Sequence, residues 1–428
     1  DALAQRGYEL LRTSAYLPPD FDQAVFDELW KTWEPPLRAR AEHASVADRR
    51  KMAYQRYGLI ADTSGSDNAG PLQYATDDDG NWTMSCLACH QGQLSGRVIP
   101  GLPNVQYELA TLTEEVRATK LRMQKPLASM DKGSLFVPLG NSRGTTNAVM
   151  FGVVLMHYRD GDLNIHSNRP RPAMVHHDLD APPWWHLKKK THLYYDGFAP
   201  KSHRALMQFL LVPQNGPERF RAWENDYRAV YACLESLEPP RYPFAVDAAL
   251  AARGEIVFNR HCAKCHGSYG ESETYPNKIV PIDVVKTDRV RLDALTVEHR
   301  RSYGASWFAE NDREPVIDDP GGYVAPPLDG IWASAPYLHN GSVPTLWHLM
   351  HADERPTLWR RTGDEFDKDN VGFVVTTHDE LPPEARSLHQ RRQYFDTRQF
   401  GKSAAGHRFP ERLTEDEKRA VIEYLKTL

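Results

Sequence analysis

The pattern Cys-x-x-Cys-His occurs twice, as CLACH at Cys86, Cys89 and His90 and as CAKCH at Cys262, Cys265 and His266. Two thiols three positions apart can chelate zinc, exchange disulfides, or take up the vinyl groups of a haem as thioethers. Only the last use calls for a histidine directly after the second cysteine, where one turn brings both sulfurs to the porphyrin edge and sets the imidazole beneath the iron. Chance supplies on the order of 0.01 such matches in a chain of this composition, so two copies constrain the fold strongly. A four-cysteine zinc site needs the pairs to converge across roughly 170 residues and leaves both histidines idle. A redox dithiol usually follows a strand in a βαβ unit, a context neither copy has. The fifth cysteine, Cys233 in YRAVYACL, reads as a buried core thiol.

With 428 residues the chain exceeds the usual size of one core, which predicts two domains. At 41% hydrophobic and 25% charged residues it belongs with ordinary globular proteins. A net charge of −5 gives no support for a nucleic-acid or anionic-membrane partner. No apolar run reaches the roughly 18 residues needed to span a bilayer. The opening DALAQRGYEL lacks a basic segment followed by an apolar one, as expected of a chain whose signal peptide has been removed. Covalent haem attachment takes place outside the cytoplasmic membrane, so a haem protein of this kind is expected to be periplasmic or secreted.

The expected fold is mainly α, with two cytochrome-c-type haem domains, long irregular loops and little β. An N-terminal helical extension over 1–60 holds DQAVFDELWKTW and, after Pro35-Pro36, a charged helix from about Ala39 to Tyr57. The first haem domain, 61–243, reaches its motif through the loop-rich TSGSDNAGPLQYATDDDGNW. It continues through an irregular stretch over 161–190 to helices in SHRALMQFLL and ERFRAWENDYRAVYACLESL, where Trp223, Tyr227, Val230 and Leu234 share a face. EPPRYP, with three prolines in six positions, reads as a linker. The second domain, 244–428, opens with a helix running straight into its motif, on which Gly254 and Phe258 lie four apart. Its expected partner is the last segment, with Thr414 and Glu417 in capping-box spacing and an apolar stripe of Val421, Tyr424, Leu425 and Leu428.

The strings LACHQGQ, LYYDGF, CAKCHG, PPLDGIWASAPYLHNGSVPTLWHL and AGHRFPERLTEDEKRAVIEYLKTL carry a resemblance. The chain resembles the di-haem cytochrome c peroxidase superfamily, and within it most closely the rubber-oxygenase-like branch. The resemblance implies two covalent haems, with proximal ligands His90 and His266. One iron is held six-coordinate for electron transfer, and the other is open to peroxide or dioxygen. A small redox protein (a cytochrome c or cupredoxin) or an apolar organic substrate is the implied partner.

Further roles follow from the resemblance alone. The peroxidases place a methionine about 14 residues beyond the histidine of APYLHN, and here that offset from His339 falls on Asp353. The rubber-oxygenase-like branch resembles a bis-histidine arrangement, which makes His407 in AGHRFP the first choice for the second haem, with His351, Met350 and His339 as alternatives. LYYDGF aligns with a family string Phe-Trp-Asp-Gly whose tryptophan relays electrons, giving Tyr195 that role, with Tyr194, Trp184 and Trp185 as neighbouring candidates. Peroxide chemistry needs an acid/base, and Glu218, following Gln214-Asn215, matches the family's Gln-Asn-x-x-Glu. An oxygenase wants an apolar wall, which Phe209 and Leu210 are expected to provide, with Gln208 as the polar neighbour. Calcium between the domains is a further implied trait, with oxygen ligands from Asn147 and from the backbone carbonyls of Ser334 and Pro336. An electron-transfer di-haem cytochrome without substrate chemistry is the alternative to the enzyme.

Overall fold

The computed structural model describes residues 1–62, 70–310 and 312–428; part of the expected loop ahead of the first motif, residues 63–69, lies outside the described residues. The chain opens with a helix, Ala2–Thr13, whose first turn is capped by the Asp1 side chain. This helix packs on Glu224–Ser236. A Cβ placed on Gly7 would lie 2.0 Å from the Ala229 carbonyl oxygen, so glycine is what lets the two backbones meet. The single charged helix expected from Ala39 is two: Pro35–Glu42, with Pro35 in its first turn, and Val46–Tyr57, whose N-cap Ser45 accepts from the Asp48 amide.

Strands are more numerous than the sequence pattern suggests. β1 (Phe21–Asp22), β2 (Tyr74–Thr76) and β3 (Asn81–Met84) form an antiparallel sheet in the order β1-β3-β2. β4 (Gln91–Leu94) and β5 (Arg97–Pro100) make a hairpin directly after the first motif. β6 (His192–Leu193) pairs with β7 (Ala199–Pro200), and β8 (Ile279–Pro281) with β9 (Gly322–Val324). β10 (Leu358–Asp367) lies between β11 (Gly372–Thr377) and β12 (Tyr394–Asp396).

In all, 41% of the chain is helical and 14% is strand in several small sheets. This overturns the expectation of a mainly α fold built from two cytochrome-c-type domains with little β: the content is mixed. The physical reason is clearest in β10 and β11. Trp359 and Phe373 are buried by cross-strand packing, while the Asp367 carboxylate closes the turn between the strands on the amides of Asp369 and Asn370. A segment so rich in Asp and Lys reads as loop until its partner strand is known.

Three large apolar clusters, with smaller ones beside them, hold the fold. The first gathers Phe21, Phe26, Trp33, Tyr57 and Trp82. The second joins Leu11, Leu87, Phe220 and Tyr227 to Leu295 and Phe308 from beyond the EPPRYP segment. The third centres on Phe258, Trp332, Tyr337, Trp359 and Val421. Within it the expected crossing is present: helix Ala248–His261 lies against Glu415–Leu425, and a Cβ on Gly254 would come within 1.9 Å of the Ala420 carbonyl oxygen. The terminal helix starts at Thr414 with the expected capping box.

A branched side chain at Gly254 must push this crossing apart. Gly254→Val is expected to lower unfolding free energy by about 3 kcal/mol, at the upper end of overpacking costs, measured by denaturant unfolding. An unchanged midpoint would contradict the close crossing.

Candidate functional site

Each motif folds into one helical turn, Leu87–His90 and Ala263–His266. The first follows β3 closely; the second follows the fourteen-residue helix Ala248–His261. His90 Nδ1 lies 3.1 Å from the Pro182 carbonyl oxygen, and His266 Nδ1 lies 2.9 Å from that of Pro326. A carbonyl only accepts, so each Nδ1 carries the proton and donates it, which leaves the Nε2 lone pair for a metal. Burial pulls His90 down to about 4 and also lowers His266, against the pull of these carbonyls. Both rings therefore stay neutral and able to ligate at neutral pH.

The thiols do not behave as exchange centres. No two of the five cysteines form a disulfide, and burial raises Cys86 to about 11, Cys89 to about 12 and Cys262 to about 11, far from the thiolate that disulfide exchange needs. The pairs also stay apart: among the described residues no group of three or more His, Cys, Asp or Glu is placed to hold a metal ion. A shared zinc site is not formed.

Cys86, Cys89 and His90 open together onto a cavity of about 350 Å³. Its walls are mainly apolar and include Phe151 and Leu155 from helix Ala148–His157, Phe209 and Leu210 from the 3-10 turn Ala205–Leu210, and Val230 and Leu234. Two thiols and an imidazole on one apolar chamber fit a flat apolar macrocycle fastened along one edge. Trp184 stacks on His90 with ring centres 4.8 Å apart.

The second site is a facing pair. His407 lies with its ring centre 6.2 Å from that of His266. Two imidazoles on opposite sides of one metal, each nitrogen about 2 Å from it, put ring centres about 6 Å apart, so the spacing fits a shared iron. His407 reaches this position at φ 48°, after Gly406 at φ 79°. A Cβ on Gly406 would meet the Lys286 carbonyl carbon at 2.3 Å. The backbone is pinned there by the His407 amide on Val285 O and by Arg355, which donates to the carbonyls of Ala404 and Gly406. Such strain persists only where surroundings hold it, and it concentrates at functional sites. Burial, with His266 and Arg355 nearby, takes His407 down to about 3, and its Nδ1 is buried without a hydrogen-bond partner.

The alternatives to His407 are engaged elsewhere. His351 uses both ring nitrogens, on Trp347 O and Glu415 Oε2, and stacks on Trp347 at 3.8 Å. Met350 is packed in the third cluster. His339 is buried between Tyr195 and Tyr323, at 5.9 and 4.4 Å between ring centres.

Tyr195 stands between the two sites. It lines the cavity, packs on the small cluster that includes Cys265, and donates from its hydroxyl to Asp180 O at 2.8 Å. Tyr194 also lines the cavity and stacks on Phe198, whereas Trp185 is turned into the third cluster with its indole N–H on Asp329 O.

Glu218 is exposed in the first turn of Pro217–Ala222 and does not line the cavity. The string it matched serves local structure, because Asn215 Nδ2 donates to Tyr16 O and Leu210 O. Gln208 is off the cavity wall too, packed toward Gly152.

Of the expected calcium ligands, Asn147 keeps its Oδ1 buried without a hydrogen-bond partner. Asn147 donates to Pro138 O, and the Ser334 hydroxyl donates to Gly330 O. Pro336 borders a separate 40 Å³ cavity with Arg143, Arg361 and Arg392.

Three groups at the main cavity escaped the sequence reading: Asp180, Lys190 and Arg291. Arg291 is tied to Asp196, the aspartate of LYYDGF, across 95 positions. No local pattern signals a pairing of that range.

Residues 322–360, which include the APYLHNGSVPTL string, match a family described as RoxA-like, cytochrome c-like. Two proteins of Sinorhizobium fredii (strain NBRC 101917 / NGR234), both named only as uncharacterized, are similar to the chain. y4iM is 29% identical over 221 residues, covering 46% of this chain and 49% of its own length. y4iJ is 32% identical over 259 residues, covering 45% of this chain and 41% of its own. The chain thus spans less than half the length of these relatives. The match supports a RoxA-like cytochrome c segment at residues 322–360, a kind of segment found with haem c. Among the described residues no helix is long and apolar enough to cross a membrane.

His407→Gly is expected to convert one haem of the oxidised protein from a low-spin to a high-spin optical and EPR spectrum, with added imidazole restoring it. An unaltered spectrum would show that His407 is not a ligand.

Proposed function

We propose that the protein is an exported di-haem oxidoreductase that activates dioxygen at a porphyrin on His90 and oxidises an apolar organic substrate. The His266–His407 centre exchanges electrons with it through Tyr195. The observation that carries this reading is the contrast between the two motif histidines. His266 faces a second imidazole at 6.2 Å, whereas His90 opens on a 350 Å³ apolar cavity. Among the described residues no second histidine ring packs opposite His90 as His407 does opposite His266.

A haem supplies one-electron redox chemistry and, at an iron with an open position, activation of dioxygen or peroxide. The chain's own part is to orient and to exclude. The Pro182 carbonyl fixes the His90 tautomer, and Phe151, Leu155, Phe209 and Leu210 give the chamber an apolar lining that favours an apolar molecule. The hydrogen bond from Tyr195 to Asp180 O ties the relay ring to the cavity wall. Burial, with Asp180 beside it, raises the Tyr195 hydroxyl well above its ordinary value. The phenol therefore stays protonated until an oxidant withdraws an electron.

Peroxide chemistry is the second reading, and one observation favours it. Asp180 is on the cavity wall and its carboxyl is pushed well above the usual range by burial. A neutral acid there could donate a proton, a role that the exposed Glu218 cannot fill.

Turnover followed with dioxygen and polyisoprene or a stilbene-like alkene is expected to exceed turnover with peroxide and a reduced cytochrome or cupredoxin. Cyanide is expected to shift one haem spectrum and leave the other. Phe209→Asp, which places a charge on the apolar wall, should lower alkene oxidation at least tenfold, while Glu218→Gln leaves it unchanged. Turnover with peroxide alone, lost in Asp180→Asn, would replace the oxygenase reading with the second one.

A further inference from the structure

The His90 cavity carries unbalanced positive charge on its wall. Arg291, 1% exposed, lies 3.2 Å from Asp196, and Arg300 reaches the same carboxylate at 2.7 Å. Asp196 is completely buried. One carboxylate thus answers two guanidinium groups. Arg291 and Lys190 both border the cavity, and among the described residues Lys190 makes no ion pair. Counting the three cations against Asp196 leaves two positive charges in a poorly solvated place.

The other titratable groups on the wall do not answer them. Burial pushes the Asp180 carboxyl well above its usual range, away from the charged form, and it brings His186 down to about 3. The tyrosine hydroxyls at Tyr194 and Tyr195 are raised by burial and carry no charge. Arg300 Nη1 is buried without a hydrogen bond, and Arg291 Nη1, also without one, has beside it only the Asp196 oxygen that Arg300 shares. Buried guanidinium N–H groups in this condition call for an anionic acceptor.

We propose that Arg291 and Lys190 bind the two propionates of the porphyrin fastened at Cys86 and Cys89, an inference that rests on the haem reading of that motif. A porphyrin joins an apolar ring to two carboxylates on one edge. The cavity matches both parts, with aliphatic and aromatic walls for the ring and two unanswered cations for the carboxylates. Asp196 is the neighbour of Tyr195 in LYYDGF, so the loop that positions Arg291 also presents the relay tyrosine, and the anionic edge of the ring is held beside it. Arg291 and Lys190 act as positioning residues that also tune the iron, because a cation beside the propionates favours the reduced metal.

The test uses the holoprotein and Arg291→Gln, Lys190→Gln and Lys190→Arg. Resonance Raman reads the propionate bending bands, and spectroelectrochemistry reads the midpoint potential of the cyanide-responsive haem. Both Gln variants are expected to move those bands and to shift that potential downward while the other haem keeps its own, and Lys190→Arg should behave as the parent. Unmoved bands and potential in protein that still carries two haems overturn the inference and leave the haem reading intact. Should Arg291→Gln fail to fold, Lys190→Gln decides alone. A parent protein without haem on the first motif overturns the underlying reading as well.

Discussion

Each motif histidine is held by one hydrogen bond from Nδ1 to a proline carbonyl far along the chain, Pro182 for His90 and Pro326 for His266. That bond sets the tautomer, and the tautomer sets which nitrogen remains available for a metal. It also explains why the motif turns are built into larger structure. Pro182 leads into the Trp184–Lys188 turn, and Pro326 follows β9. The histidine cannot be placed unless these distant segments are placed first.

From this shared device the two sites diverge. Around His266 the chain spends a strained histidine, a glycine that fits nothing larger, and an arginine bridging two carbonyls to bring a second imidazole into line. Around His90 it does the reverse, withholding such a partner and lining the space with aliphatic and aromatic side chains. An iron that only passes electrons gains from two fixed ligands, while one that meets a substrate needs room. The divergence is what the proposed division of labour between two haems would require, with Tyr195 between them.

Much of this was legible in the sequence where chemistry fixes residue identity. Covalent attachment demands Cys-x-x-Cys-His in order, so both motifs stand out. The Gly254 crossing and the Thr414 capping box depend on near neighbours in the chain and read correctly. The β10–β12 sheet did not, because the charged turn between β10 and β11 hides the alternation and β12 joins from farther along the chain. The match at Glu218 failed for a related reason: three residues of a short string fell at the right spacing, but the fold turns that carboxylate outward. His407 was reached only by resemblance, since nothing local marks a histidine held by a left-handed backbone. The ion pairs of Asp196 join segments about a hundred residues apart, which no spacing rule detects.

The most direct measurement is mass spectrometry of proteolytic peptides from protein made with a working haem-maturation system. The peptides holding Cys86 with Cys89 and Cys262 with Cys265 should each carry one haem in thioether linkage, and Cys233 should be unmodified. Free thiols in either pair would contradict the account.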